Sequence, residues 1–362
     1  MLKIIKPTLL VNKQTAIRNI QNMAHKAELS KVNFRPHFKT HFSEEIGRWY
    51  QSAGVTNITV SSIDMATYFA DKGWNDITIA FPVNILQIDN LNDLAARITL
   101  NLVVESVDTV LFLNQNLHHA VNIFIKIDTG YGRTGVFWKK TKAVRSILES
   151  IKSPHEFCGL LAHFGHTYQL RERHLIEQVY EQEVHQLNQL RIELDHPNSI
   201  ISIGDTPGCS IVDSFTNVDE IRPGNFVFYD LMQFHIGSCT WEDIAVCMAC
   251  PVVAIHPDTN EVVVHGGAVH FSKDRIKDHH GKTTFGQVVQ LSDHAWGEPV
   301  NSTFVTSLSQ EHGKIHAPDD FIQNLKIGSV IGIVPVHSCL TANLMRDYMT
   351  LGGERISTMN SK

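Results

Sequence analysis

The sequence predicts an α/β chain built as a (β/α)8 TIM-type barrel followed by a second, mostly β C-terminal domain. Three observations carry that expectation. From residue 30 to residue 230, short apolar runs rich in β-forming residues alternate with amphipathic stretches. Eight such runs occur in that interval. After Asp230 the helical periodicity fades and short strands set off by Gly, Pro and Asp take over. Eight strands with helices between them suit a closed barrel, and a doubly wound sheet is the main alternative.

The elements follow in order. Thr8–Ser30 carries Ile17, Ile20, Met23 and Ala27 at helical spacing and reads as a helix before the first strand. The predicted strands are Val32–Lys39, Asn57–Ser61, Asp76–Phe81, Ile98–Glu105, Val121–Asp128, Phe157–His163, Ser199–Gly204 and Asp219–Tyr229. Arg171–Leu194 is the longest amphipathic stretch, with Leu175, Val179, Leu187 and Leu190 recurring at helical spacing. Beyond it, Cys250–Ile255, Glu261–His265 and Lys326–Val334 read as strands of the second domain. The expected division is a barrel over 8–240 and a β domain over 241–362 joined by residues 1–7.

At 362 residues, 43% hydrophobic, the chain is long enough for two cores. A formal charge of −6 gives no footing for nucleic acid or an anionic membrane surface. The first residues, Met1 to Pro7, lack a long apolar run, so a cytoplasmic protein is expected. Six cysteines in such a length make no disulfide framework. Cys247 and Cys250 have the CxxC spacing without a second pair, and sit in an apolar run that reads as a buried strand.

In a barrel, function collects where strands end at their carboxyl side. Arg35-Pro36-His37-Phe38-Lys39-Thr40-His41 ends the first strand. Period-two alternation would put Arg35, His37, Lys39 and His41 on one face and Phe34, Phe38 and Phe42 on the other. A lysine among cations loses part of its preference for the charged form and becomes nucleophilic, as a Schiff base with an aldehyde cofactor requires. The same residues would also suit a solvated edge strand. Asp128-Thr129-Gly130-Tyr131-Gly132-Arg133 is a glycine turn that projects Arg133, a group able to grip a carboxylate or stack on a ring. His163, His166 and Tyr168 close the sixth strand, as acid–base groups, ring partners or structural side chains. Gly204-Asp205-Thr206-Pro207-Gly208 allows backbone N–H groups to approach an anion, with Asp205 the objection to a phosphate there. Tyr229, at the end of the last strand, could donate to the same anion. In the second domain, His337 and Cys339 would point the same way in an extended chain and could hold a zinc ion, or be an ordinary buried pair. The loops carrying His265, His270 and His312 could serve metal, substrate or only a turn.

Taken together, Arg-Pro-His-Phe-Lys-Thr-His at 35–41, Asp-Thr-Gly-Tyr-Gly-Arg-Thr-Gly at 128–135, Gly-Asp-Thr-Pro-Gly at 204–208, Arg-Pro-Gly at 222–224 and His-Ser-Cys at 337–339 resemble fold-type III pyridoxal-phosphate enzymes. The resemblance is to the D-serine dehydratase-like and D-threonine aldolase branch, with an alanine racemase-like barrel. It implies Lys39 as the Schiff-base lysine, with Lys39, His163 and Tyr168 catalytic. It also implies His37, Arg133, His163 and Tyr168 around the cofactor ring or substrate, and Gly204, Thr206, Gly208 and Tyr229 at its phosphate. His337 and Cys339 would hold Zn2+, or another divalent metal such as Mn2+. A small-molecule D-amino acid substrate and a homodimer go with the family. Dehydration of a β-hydroxy D-amino acid is the leading expectation because aldolase members tend to carry Asp where Cys339 stands. Retro-aldol cleavage comes next, then racemisation or cofactor carriage without catalysis. His265 departs from the Asp of many relatives, and His270 is a further departure.

Overall fold

The computed structural model describes residues 3–277, 281–292 and 295–361. Eight parallel strands form the N-terminal sheet. Their spatial order is Asn33–Phe34, Glu220–Ile221, Ile200–Ile203, Glu156–Leu161, Asn122–Asp128, Thr99–Val104, Asp76–Pro82 and Ile58–Val60. The ring closes where Thr59 N–H donates to Pro36 O at 2.9 Å and His37 bridges Thr59 in parallel. Closure is what separates a barrel from a doubly wound sheet, whose edges stay open. The strands read as continuous apolar runs because both faces are covered: Ile123, Phe124, Ile125 and Ile127 are all buried.

Three predicted elements differ from the observed ones, each for a local reason. Thr8–Ser30 is a strand and a helix, not one helix. Thr8–Val11 is extended, Asn12 caps by accepting Thr15 N–H, and the helix runs Lys13–Leu29. Val32–Lys39 is a strand only at Asn33–Phe34. Pro36 cannot donate to a ladder, and Phe38–Thr40 turns as a 3-10 helix capped by the His37 side chain. Asp219–Tyr229 is a strand only at Glu220–Ile221, since Pro223-Gly224 ends it and Asn225–Val227 is a second 3-10 turn. The long helix is observed at Arg173–Glu193.

The second sheet has nine strands. Six of them close an antiparallel ring: Glu261–His265, His312–His316, Trp296–Leu308, Gly286–Leu291, Val330–Pro335 and Val246–His256, the last pairing back to the first. Thr8–Val11 extends this sheet, antiparallel to Val246–Ala249 and parallel to Tyr348–Thr350. By strand pairing, then, the chain's start belongs to the second sheet as far as Val11, four residues beyond the expected link. Leu9, Leu10 and Val11 are buried there. Cys247 and Cys250 lie in the Val246–His256 strand with no exposed area, and burial pushes both thiols up. No helix among the described residues is long and apolar enough to cross a membrane.

Candidate functional site

The 3-10 turn that replaces the predicted strand is what presents Lys39. His37 Nδ1 accepts the Lys39 backbone N–H at 3.4 Å, which leaves the neutral ring's proton on Nε2. Phe38 is buried among Tyr50, Phe69 and Trp74, with ring centroids 4.9–5.0 Å away. That anchor holds the turn while Lys39, one residue on, stays exposed in the barrel mouth. Gly224 is pressed against the same turn. A Cβ there would stand 2.8 Å from His37 O and 3.2 Å from Thr40 Oγ1.

The alternation expected at 35–41 does not hold. Arg35 is 6% exposed and ion-paired at 2.6 Å to both Glu220 and Asp76, inside the barrel. His41 is fully buried against Phe38 and Tyr50, and burial drives its imidazole down to about 3. Both are structural. Although the side chain is accessible, the walls of the mouth desolvate the Lys39 amine and lower it from its ordinary value; Cys339 opposes this, and Arg133 and Arg222 push the same way. Burial also holds His37 and His163 well below the usual imidazole range, with Lys39 first among the cations acting on His37 and Arg133 first for His163. The mouth therefore favours neutral bases.

His163 Nδ1 meets Gly204 O at 2.5 Å, so this nitrogen donates and Nε2 keeps its lone pair. Tyr168 OH accepts the Thr206 N–H at 3.4 Å and its ring lies 6.3 Å from that of His163. The Asp205 objection is met by geometry: its Oδ2 accepts from Gly208 N at 2.6 Å and from Thr167 Oγ1 at 2.7 Å, so the carboxyl turns back into the protein. Burial raises that carboxyl to about 6. Thr206 Oγ1 is buried and unpartnered, a donor available to an added anion. Tyr229 OH reaches Ser210 Oγ, 3.1 Å away at the other end of the Thr206–Ile211 helix, rather than Gly204 or Thr206.

The 128–135 turn sits over these groups. Asp128 Oδ1 accepts the N–H groups of Gly130 and Gly132, both at 3.0 Å. The Tyr131 ring lies on Gly165, where a Cβ would come within 2.3 Å of it. His163 and His166 flank it at 5.9 and 5.6 Å, and the exposed Arg133 guanidinium stands 5.7 Å from its centroid.

His337 and Cys339 arrive by a route other than the expected extended chain. His337 caps the Ser338–Met345 helix and Cys339 is in its first turn. Thr40 Oγ1 lies 3.2 Å from Cys339 Sγ, so the thiol stands beside the Lys39 turn. The His337 Nδ1 is 3.4 Å from Asp230 Oδ2, an arrangement that orients the ring and leaves Nε2 for a metal. Burial lowers the His337 imidazole, but Cys339 and Asp230 outweigh it and raise it to about 9. Such a site favours added positive charge.

Several residues of the site are not singled out by the sequence. Asn225 Nδ2 lies 2.6 Å from Asp230, 2.9 Å from Ser338 Oγ and 3.5 Å from Cys339 Sγ. Arg222 is buried and donates to Ser202 Oγ and Ala162 O. Asn225 has no local signal beyond its place after the last strand, and Arg222 enters the sequence reading only within the Arg-Pro-Gly motif at 222–224. His265, His270 and Glu311 form a separate group, with 3.6 and 3.8 Å from the two Nε2 atoms to Glu311 Oε2. There the Gly267 N–H donates to His270 Nδ1 at 3.1 Å. The neutral His270 ring therefore carries its proton on Nε2, toward Glu311, and would have to give it up before that nitrogen could bind a metal.

Two family models match the chain: the alanine racemase N-terminal domain over residues 11–231, and a putative serine dehydratase domain over 245–351. The D-serine dehydratase of Dictyostelium discoideum is 30% identical, over 96% of this chain and 93% of that protein. The D-threo-3-hydroxyaspartate dehydratase of Delftia sp. is 27% identical over 96% of this chain and 94% of its own. Its solved structure superposes with a TM-score of 0.89 at 26% identity, covering 99% of this chain and 98% of that one. A cysteine-to-alanine mutant of it, solved in the metal-free form, gives the same TM-score. D-threonine aldolase from Filomicrobium marinum shares the fold, with a TM-score of 0.80 at 18% identity over 99% of this chain and 98% of that one.

Proposed function

We propose, from the premise that the chain belongs to the family of the alanine racemase N-terminal domain, here joined to a serine dehydratase-type domain, that it removes water from a β-hydroxy D-amino acid. The class comes with the family: a pyridoxal-phosphate-dependent lyase acting on D-amino acids. The bond broken and the roles of individual residues are our reading.

The observation that carries it is the meeting of Thr40 and Cys339, which sets a thiol beside the turn of a lysine far away in sequence. Pyridoxal phosphate, when bound, supplies an electron sink for the carbon that bears the amino group. Lys39, its amine lowered by desolvation and by the neighbouring arginines, would hold it and then take the proton from that carbon. His163, with its Nε2 lone pair free, and Tyr168 would line the ring. Gly204, Thr206 and Gly208 would face the phosphate, supported by the orphan Thr206 hydroxyl. The Gly208 N–H is already taken by Asp205, so Thr206 is the stronger member of that set. Tyr229 would act through Ser210. His37 and Arg133 would complete the basic surround that a carboxylate substrate needs.

A divalent metal fits His337 and Cys339 because Asp230 stands against the imidazole and a cysteine sulfur, once metal-bound, adds negative charge. Among the described residues no third His, Cys, Asp or Glu joins them, so water and substrate would fill the remaining positions. Such an ion would supply Lewis acidity at a hydroxyl. The relative's metal-free cysteine mutant supports this pairing. A homodimer in the cytoplasm accompanies the proposal, and light scattering of the purified chain checks its mass.

The deciding experiment gives purified, metal-analysed protein D-serine and D-threonine separately. Pyruvate or 2-oxobutyrate with ammonia, lost on chelation, is expected. Glycine and acetaldehyde from D-threonine would replace the proposal with an aldolase.

A further inference from the structure

The helix Arg173–Glu193 buries a stripe of Ile176, Tyr180, Val184, Leu187 and Leu190, and Glu183 sits within it. A carboxyl in an apolar stripe is costly unless its oxygens are partnered. Here both oxygens face polar groups from two different site segments. Oε2 accepts from Thr129 Oγ1 at 2.6 Å, and Oε1 stands 2.7 Å from His166 Nδ1, an ion-pair distance without hydrogen-bond alignment. Thr129 begins the turn that bears Tyr131 and Arg133. His166 lies between His163 and Tyr168 in the segment that meets Gly204 and Thr206.

We propose that Glu183 is a positioning residue: one buried carboxyl clamps the 128–135 turn to the 163–168 segment and so fixes Arg133 and His163 relative to each other. The Tyr131 ring is the gauge of that fit. It is seated on Gly165 and flanked by both histidines, so a shift of either segment unseats it. Asp128 and Glu105 brace the inside of the turn, and the Glu183 contacts tie it to the neighbouring segment. Gly130, Gly132 and Gly135 all have positive φ, a backbone with little stiffness of its own. Burial raises the Glu183 carboxyl to about 8.

The proposal rests on the lyase reading for what the mouth binds, but its test has a readout independent of turnover. Glu183→Gln keeps an acceptor for Thr129 and a polar partner for His166, and Glu183→Ala removes both. Cofactor affinity is measured by titrating apoprotein with pyridoxal phosphate, and hydrogen exchange is followed across 129–135. Glu183→Ala is expected to weaken cofactor binding about tenfold, raise KM more than it lowers kcat, and speed exchange in the turn, with Glu183→Gln restoring most of each. Should Glu183→Ala not fold, Thr129→Val, which loses one of the two contacts at constant shape, carries the same expectation at a smaller size. Unchanged cofactor affinity and unchanged exchange in the folded Ala or Val variant would overturn the clamp. If no D-amino acid is turned over by the wild type, the lyase reading fails while affinity and exchange still decide the clamp.

Discussion

In the proposed function, Lys39 is the residue on which the chemistry turns. Lys39→Ala should abolish the absorbance of lysine-bound cofactor, checked by the visible spectrum after dialysis against pyridoxal phosphate. Cys339→Ala should lower metal content with the cofactor still bound, checked by elemental analysis beside the same spectrum. Asp205 offers a test of pH dependence. Its carboxyl is raised by burial from 3.8 to about 6, so the folded protein binds this proton more tightly than the unfolded chain. The associated stability is fully present below about 3.8 and is lost as pH rises through about 6. Over that window the loss is on the order of 2 kcal/mol. Asp205→Asn keeps a cap for Gly208 without the charge and should remove that part of the pH dependence, measured by urea unfolding of the cofactor-free protein at pH 4 and pH 7. Lys39, His163 and His337 were legible because each stands in a short motif with a chemical reason. Arg35 and His41 were misread because alternation reports the face of a strand and is silent once the chain turns. Asn225 and Asp230 carried no sign at all, since their importance is that they touch residue 338 and its neighbours.

At the level of elements, the two 3-10 turns matter more than the strands they cut short. Phe38–Thr40 and Asn225–Val227 lie against each other through Gly224. Gly224→Ala would push a methyl group into His37 O and Thr40 Oγ1, so the Lys39 turn would have to move. The expected result is cofactor affinity at least tenfold lower with an unchanged far-UV spectrum, checked by equilibrium dialysis. The barrel was readable from strand–helix alternation because apolar periodicity marks burial on both faces. Strand ends were not, because Pro36 and Pro223 stop the ladders several residues before the apolar runs end.

Across the whole molecule, the pairing of Thr8–Val11 inside the C-terminal sheet ties the two ends of the chain together. Leu9 is fully buried there, and Leu9→Ala should cost about 2–5 kcal/mol, measured by urea unfolding. The loss should register equally in the barrel and the β domain if they unfold as one unit. The first strand of that sheet was not readable in the sequence, since four residues ahead of a helix carry no pattern that distinguishes them from that helix.

The contact between Thr40 and Cys339 spans 299 residues of chain. During synthesis the lysine next to Thr40 leaves the ribosome early and the thiol late. At 5–20 residues per second the interval is about 15–60 s. On the proposed reading, an amine tuned to react with aldehydes would exist for that whole interval before the metal pair could form. Any cofactor captured in that time would rest on the barrel alone, and the proposed elimination would wait for residue 339.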